Sequence, residues 1–376
     1  MAWAFDLNQR GFTPILKVTV DGKEVAGGFY GRLIDLKIRD EAGQKSDSLT
    51  ITLDDADNAI ELPREKALIE VWGGFKETGL TLMGSYELQT ISIQGGADEP
   101  EIIVLQASAA DLKRKLKGKG REAFEGKTVG DIVDAIAQRN GMQARVSEQL
   151  RNIKVPYRAR VDASEIDFLT TLADQYGAVV KPMGDKLVMA PRGEAKAASG
   201  KNLPPIQIEK SDCNRWRIEP KGRPQYGKVR GAYIDQDTGK RQITSANTGM
   251  EGPEFTIRDP FPSKEQAEKG ALAEARRLTR NTGDGHFELA LGRPDAQAEA
   301  DVTAGSSFRT GVAGNWRAEA VEHTFDDNGF RTKIEIKAKE DGSSEKNKQP
   351  QKAKKKGASQ QQDSGSSGAS SPYGPF

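Results

Sequence analysis

Through the first hundred residues of the chain, apolar and polar positions alternate with a period of two. Ser48-Leu49-Thr50-Ile51-Thr52-Leu53 puts three aliphatic side chains on one face and three hydroxyls on the other, the pattern of a half-buried strand. The Asp40-Glu41-Ala42-Gly43 turn joins it, as a hairpin, to a preceding strand over 33–39. Residues 67–74, 82–88, 88–93 and 101–106 continue the meander, with a turn region at Gly95-Gly96.

After a basic connector, Lys113-Arg114-Lys115-Leu116-Lys117-Gly118-Lys119-Gly120-Arg121, the period becomes helical. Thr128 is the expected cap, with Asp131 three residues on in the manner of a capping box. Val129, Ile132, Val133 and Ile136 make the apolar face, and Gly141 is the stop. A second helix repeats the plan: Ser164 caps it, Phe168, Leu169, Leu172 and Tyr176 pack inward, and Gly177 ends it. A hairpin of 178–180 with 187–189, turning at Pro182-Met183-Gly184-Asp185, completes a small α/β module.

Strand character returns after a loop over 193–205. Residues 206–209 and 227–234, with the turn Asp237-Thr238-Gly239, read as the opening of a second strand-rich region. One more helix runs from Ser263 to about Arg280, capped by Ser263 with Gln266 at the third position. Segments 285–291 and 307–311 follow, and 316–325 pairs with 330–336 across Asp327-Asn328-Gly329. The turn segment 40–45 lines up with 236–241, an internal echo between the two strand-rich regions.

At 376 residues the chain exceeds one hydrophobic core, and 36% apolar residues with 40 glycines suit many short strands and tight turns. Net charge is +1, unevenly placed: the last 36 residues hold six lysines against three acids, leaving 50 basic and 52 acidic side chains before them. A near-neutral body argues against specific nucleic-acid binding as the main task. The tail over 341–376, chiefly Lys, Gln, Ser, Gly and Pro, cannot bury enough apolar surface to offset ordering entropy and is expected to be disordered. One cysteine, Cys213, cannot form an internal disulfide, which suits folding in a reducing cytoplasm. The amino-terminal residues lack the basic and apolar regions of a cleaved signal, and no stretch reaches the ~20 apolar residues that span a bilayer, so no membrane insertion is expected.

Catalytic chemistry is poorly supplied. Gly120-Arg121-Glu122-Ala123-Phe124-Glu125-Gly126-Lys127-Thr128 approaches a phosphate-binding loop but is one residue too long between its glycines. Gly118-x-Gly120-x-x-Ala123 has lysines where a dinucleotide fold needs an apolar strand. His286, His323 and Cys213 are too few for a zinc site, and no Gly-x-Ser-x-Gly elbow supports a serine nucleophile. Asp54-Asp55 and Asp326-Asp327 are read as turn caps; they could be a glycosidase pair only across a cleft. Lys352 to Lys356 is a short solvated charge run. No catalytic residue, cofactor or metal site is expected.

The order of strand, Asp-x-x-Gly, Ser46-Asp47-x-Leu49, Leu53-Asp54-Asp55, Trp72-Gly73-Gly74 and Gly84-Ser85-Tyr86 resembles the late-control protein D family. That family supplies the baseplate hub of contractile phage tails and phage-derived contractile bacteriocins. The closing hairpin is similar to it too, and more distantly to the hub portion of type VI secretion spike proteins. The resemblance implies an α+β, β-rich chain with two tail-tube-type antiparallel barrels: the first over 1–115 and the second over 201–340, with a helix inserted at about 263–281. A helix-strand α/β module over 116–200 lies between them, and 341–376 is the disordered tail. It also implies a homotrimer that adapts a hexameric tail tube to a trimeric spike. Its partners would be tube, spike, tape-measure and other baseplate proteins, in a virion or tailocin particle assembled in the host cytoplasm. Tyr373 and Phe376, two aromatics within four residues of the tail, are candidates to dock on a partner such as the spike. Two readings compete. One is a peptidoglycan-binding or peptidoglycan-cleaving tail protein, with 128–190 as its wall-binding domain. The other is a spike with its own needle, against which stands the absence of any repetitive β-helix after residue 340.

Overall fold

Leu36, Ile38, Leu49, Ile51 and Leu53 are all withdrawn from solvent, as their alternation requires when one face of a strand pair is buried. The computed structural model describes residues 3–4, 9–25, 27–43, 46–109, 116–183, 186–193, 202–220, 226–235 and 237–340. The first group of strands is β1 (Trp3–Ala4), β2 (Pro14–Val20), β3 (Lys23–Glu24), β4 (Leu33–Glu41), β5 (Ser48–Asp54), β6 (Leu68–Phe75), β7 (Gly79–Gly96) and β8 (Glu99–Ala109). A helical turn, α1 (Gly27–Gly31), follows β3. The hydrogen-bonded order β1-β2-β6-β7-β8-β5-β4 is antiparallel throughout. The sheet curls, because Leu16 and Val18 from one side of that order and Leu36 and Ile38 from the other enter one apolar cluster. Tyr30 of α1 joins them, and its hydroxyl accepts the Val18 N–H at 3.1 Å.

The middle of the chain forms β9 (Lys119–Thr128), α2 (Val129–Arg139), β10 (Gln143–Val146), α3 (Glu148–Arg151), β11 (Lys154–Ser164), α4 (Glu165–Gln175), β12 (Ala178–Met183) and β13 (Lys186–Pro191). Thr128 and Asp131 make the reciprocal capping box expected of them, and Ser164 caps α4 by accepting the Asp167 N–H. β9 and β11 pair as a two-stranded ribbon, while β10-β13-β12 form a small mixed sheet. Val129, Ile132, Val133 and Ile136 of α2 share a core with Phe168, Leu169, Leu172 and Tyr176 from the α4 segment.

The last group is β14 (Ile206–Ile208), β15 (Cys213–Pro220), β16 (Lys228–Ile234), β17 (Arg241–Asn247), β18 (Glu254–Thr256), α5 (Lys264–Arg280), β19 (Gly283–Leu289), β20 (Asp301–Ala304), β21 (Gly314–Asp326) and β22 (Gly329–Ala338). Ser263 caps α5, as expected. One sequence expectation is corrected. Residues 228–234 do not open the second curled sheet; β16 is the centre of a separate sheet, β17-β16-β18, with its own small core of Val229, Ala271 and Ala275 against α5. Gly231 permits the close approach, since a Cβ there would lie 3.0 Å from the Ala267 carbonyl oxygen. The antiparallel pairs that flank the two echo segments, β4–β5 and β16–β17, therefore lie in different sheets. Segment 307–311 is a turn around buried Phe308 and follows β20. The tail with Tyr373, Phe376 and Lys352 to Lys356 lies outside the described residues, as do Lys113 to Lys115.

The two strand-rich regions are one sheet of 14 strands, because β4 pairs along its second edge with β21. Beyond β21 the order runs β22-β19-β15, while β20 and β14 branch from the other end of β21. The β21–β22 hairpin serves both cores from one face. Phe325 and Phe330 stack at 4.2 Å within the first core. Val321, Ile334 and Ile336 belong to the second, with Phe287, Val302 and Trp316. Between them His323 and Thr332, directly opposite in register, bond to each other.

Room for the stacked rings is made by glycine. A Cβ at Gly73 would stand 2.4 Å from Phe325 Cζ and 2.5 Å from Met83 Sδ. One at Gly292 would stand 2.2 Å from Phe330 Cδ1. Gly73→Ala should therefore destabilise by about 1–3 kcal/mol through overpacking. Phe330→Ala should cost about 3–5 kcal/mol. Gly31→Ala, with nothing within 4 Å of its Cβ, is the control. Urea unfolding measures all three, and a Gly73→Ala protein as stable as wild type would contradict this packing.

Candidate assembly interface

The residues singled out for chemistry are built into structure. Burial holds the His323 imidazole neutral, its pKa down at about 4, with Nδ1 3.0 Å from Thr332 Oγ1 and the ring against Phe330. His286 faces Glu288, Nε2 to Oε1 3.4 Å. Burial, then the nearby Asp212 charge, pushes the Cys213 thiol up to about 11, far from a reactive thiolate. Asp54 accepts the Ala56 N–H, and Asp55 accepts those of Ala59 and Ile60. Asp326 accepts the Asn328 N–H and pairs with Arg331. These are the turn-capping roles read from sequence. Segment 120–128 is extended strand β9, so its N–H groups do not converge as a phosphate cradle. Among the described residues, no group of three or more His, Cys, Asp or Glu is placed to hold a metal.

Two polar clusters, one half-buried and one buried, escape a sequence reading. At the first, three parts of the chain meet. Asp40 Oδ2 accepts the Ala298 N–H at 2.8 Å, and Asp47 Oδ1 accepts the Glu41 N–H at 3.1 Å. Lys181 of β12 donates to the Glu41 carbonyl and lies 3.4 Å from Asp47. Burial, reinforced by the Asp47 charge, pushes the Asp40 carboxyl up to about 7. In the second, fully buried Arg317 donates to Glu340 Oε2 (3.2 Å), the Glu299 carbonyl (2.9 Å) and the Gly193 carbonyl. It also lies 2.8 Å from Asp301. Arg280, at the end of α5, pairs with Glu319 and Glu340, which ties the small sheet's helix to the large sheet. Such partners are hundreds of residues apart in some cases, and no local spacing encodes them.

Among the described residues, the surface offers open strand edges and exposed apolar side chains. β15 ends the large sheet, and β17 ends the small one. The β9–β11 ribbon has no further strand on either side among the described residues. Tyr157 and Val161 on that ribbon and Ile243 on β17 are each 62% exposed, and Leu80, Leu82 and Ile93 are exposed along β7. Open strand edges beside exposed apolar side chains are the features that association covers.

Comparison with known proteins decides the family. The sequence model of the phage tail baseplate hub (GPD) matches residues 94–329, from within β7 to the β21–β22 turn. The chain belongs to this family. The probable baseplate hub protein of Escherichia phage 186 is 27% identical over 365 residues, covering 87% of this hub and 93% of the relative. The 43 kDa tail protein of prophage MuSo2 from Shewanella oneidensis shares the fold with a TM-score of 0.64 at 14% identity, over 88% of the hub and 99% of that chain. So does a component of the Escherichia coli type VI secretion system, whose structure is described as similar to bacteriophage T4 tail proteins. There the TM-score is 0.52 at 7% identity, over 85% of the hub and 76% of that chain. Phage baseplate hubs are virion components, and no helix among the described residues is long and apolar enough to cross a membrane.

The raised Asp40 pKa gives a pH signature. Asp40 ionises near 3.8 when unfolded and near 7 when folded, so its contribution is fully present below pH ~4 and fades as pH rises through 7. Asp40→Asn keeps an acceptor for Ala298 and removes the titration. The variant should gain on wild type between pH 5 and pH 8, by a few kcal/mol at most. Thermal unfolding at both pH values tests this; an unchanged difference in Tm would contradict an ionisable Asp40 held in this cluster.

Proposed function

We propose that the hub assembles as a ring-shaped homotrimer around a central channel and joins a sixfold tail tube to a threefold spike. The observation that carries this reading is that one chain holds two curled β units, each with its own core, on one shared hairpin. Three chains offer six β units to a sixfold tube, while the 116–200 module and the small sheet with α5 occur only three times. On this reading the first tube-type barrel spans 1–115. The second spans 201–340 and is interrupted by β16–β18 and α5. Open edges such as β15 pair with neighbouring copies, which removes them as aggregation templates. Binding energy is spread over interfaces above the ~1,000 Å² of a specific contact.

The role is mechanical and needs neither cofactor nor catalytic residue. Tube, spike, tape-measure and other baseplate proteins of a phage or tailocin are the partners, and Tyr373 and Phe376 contact the spike. Light scattering with the spike present should find hub in threes of 40.9 kDa chains. Deleting residues 371–376 should weaken spike capture without changing that number. A twofold or sixfold hub, or cell-wall hydrolysis on a zymogram, would contradict the adaptor. Unchanged capture would remove the tail from it.

A further inference from the structure

A cleft of about 1040 Å³ opens where α4, α5, β18 with the segment after it and the β21–β22 hairpin converge. Phe255, Ile257, Phe261 and Ala273 supply apolar wall. Its four acids are already engaged. Glu274 takes two bonds from Arg277, at 2.7 and 2.6 Å, and Glu319 is held by Arg280 and Lys337. Glu340 is held by Arg317 and Arg280, and Asp174 stands 3.7 Å from Arg192. Two further lining cations, Arg258 and Arg276, have no ion-pair or hydrogen-bond partner among the described residues. The buried Arg192 Nε likewise donates to nothing. The cleft thus combines uncompensated positive charge with aromatic wall.

We propose that this cleft takes a short acidic segment of a partner protein that carries one apolar anchor. Carboxylates of the segment meet Arg258 and Arg276, and the anchor packs against Phe255 and Phe261. Nucleic acid fits less well. A duplex is held by a row of phosphate contacts, about 6–10 in strong binders, whereas this cleft has two free guanidiniums and an apolar wall. The proposal goes beyond the trimer and the tube-to-spike role and does not rest on them.

The test is fluorescence anisotropy on the full-length protein with a labelled Asp-Glu-Phe-Asp-Glu peptide. Saturable binding at one peptide per chain is expected, falling with added salt. Arg276→Glu and Arg258→Glu should each weaken it about tenfold or more, as loss of a charged hydrogen bond implies. Serine in place of the probe's phenylalanine should weaken it by a similar factor. Lys186→Glu, at an exposed lysine outside the cleft, should leave it unchanged. Circular dichroism confirms that the variants fold. The proposal is overturned if the peptide fails to bind, or if the arginine substitutions leave its affinity unchanged. It is equally overturned if a labelled 20-base-pair duplex binds more tightly and responds to the same substitutions, which would make the cleft a nucleic-acid contact. If those substitutions shift the protein's own mass in light scattering while no peptide binds, the cleft joins copies of the hub and the proposal fails.

Discussion

The structure depends on the antiparallel pairing of β4 with β21, which runs from Asp35 opposite Asp326 to Glu41 opposite Ala320. Without it the chain would hold two separate curled sheets. With it, one hairpin from the last quarter of the described chain closes the first core with Phe325 and Phe330 and lines the second with Val321, Ile334 and Ile336. Arg39 reinforces the seam, with a two-pronged bond to Glu335 at 3.0 and 2.8 Å and another to Glu41 at 2.7 Å. The pairing is strongly non-local, so its loop-closure entropy must be met before either core gains from it.

The His323–Thr332 pair explains how one face serves two cores without merging them. Strand alternation keeps residues 321, 323 and 325 on the same side, so position 323 falls at the boundary. A neutral imidazole bonded to a threonine is a satisfied polar divider there, and Thr332 Oγ1 also accepts the Arg293 N–H at 2.8 Å. Charging that ring is costly. The His323 contribution is present above about pH 6.5 and is lost as pH falls toward 4, opposite in sign to Asp40.

What was legible in the sequence was what is local. Thr128 with Asp131, Ser164 with Asp167, and Ser263 before α5 satisfy their own helix ends within a few residues, so each cap could be read directly. Period-two alternation likewise showed which face of β5 is buried. It did not show which strand lies alongside, and 228–234 reads the same in a small sheet as in a large one. Gly73 was visible as part of a family motif, but the ring it accommodates comes from residue 325. Asp40, Lys181 and Ala298, or Arg317, Gly193 and Glu340, become one site only after folding, and no composition or spacing rule assembles them.

Native-state hydrogen exchange in rising denaturant tests the shared hairpin most directly. If it unites the two β units, the slowest amides of β5 and β8 and those of β19 and β22 open with the same free energy and the same denaturant dependence. A first unit that opens at markedly lower denaturant while β19–β22 remain protected would show two independent cores and contradict the account.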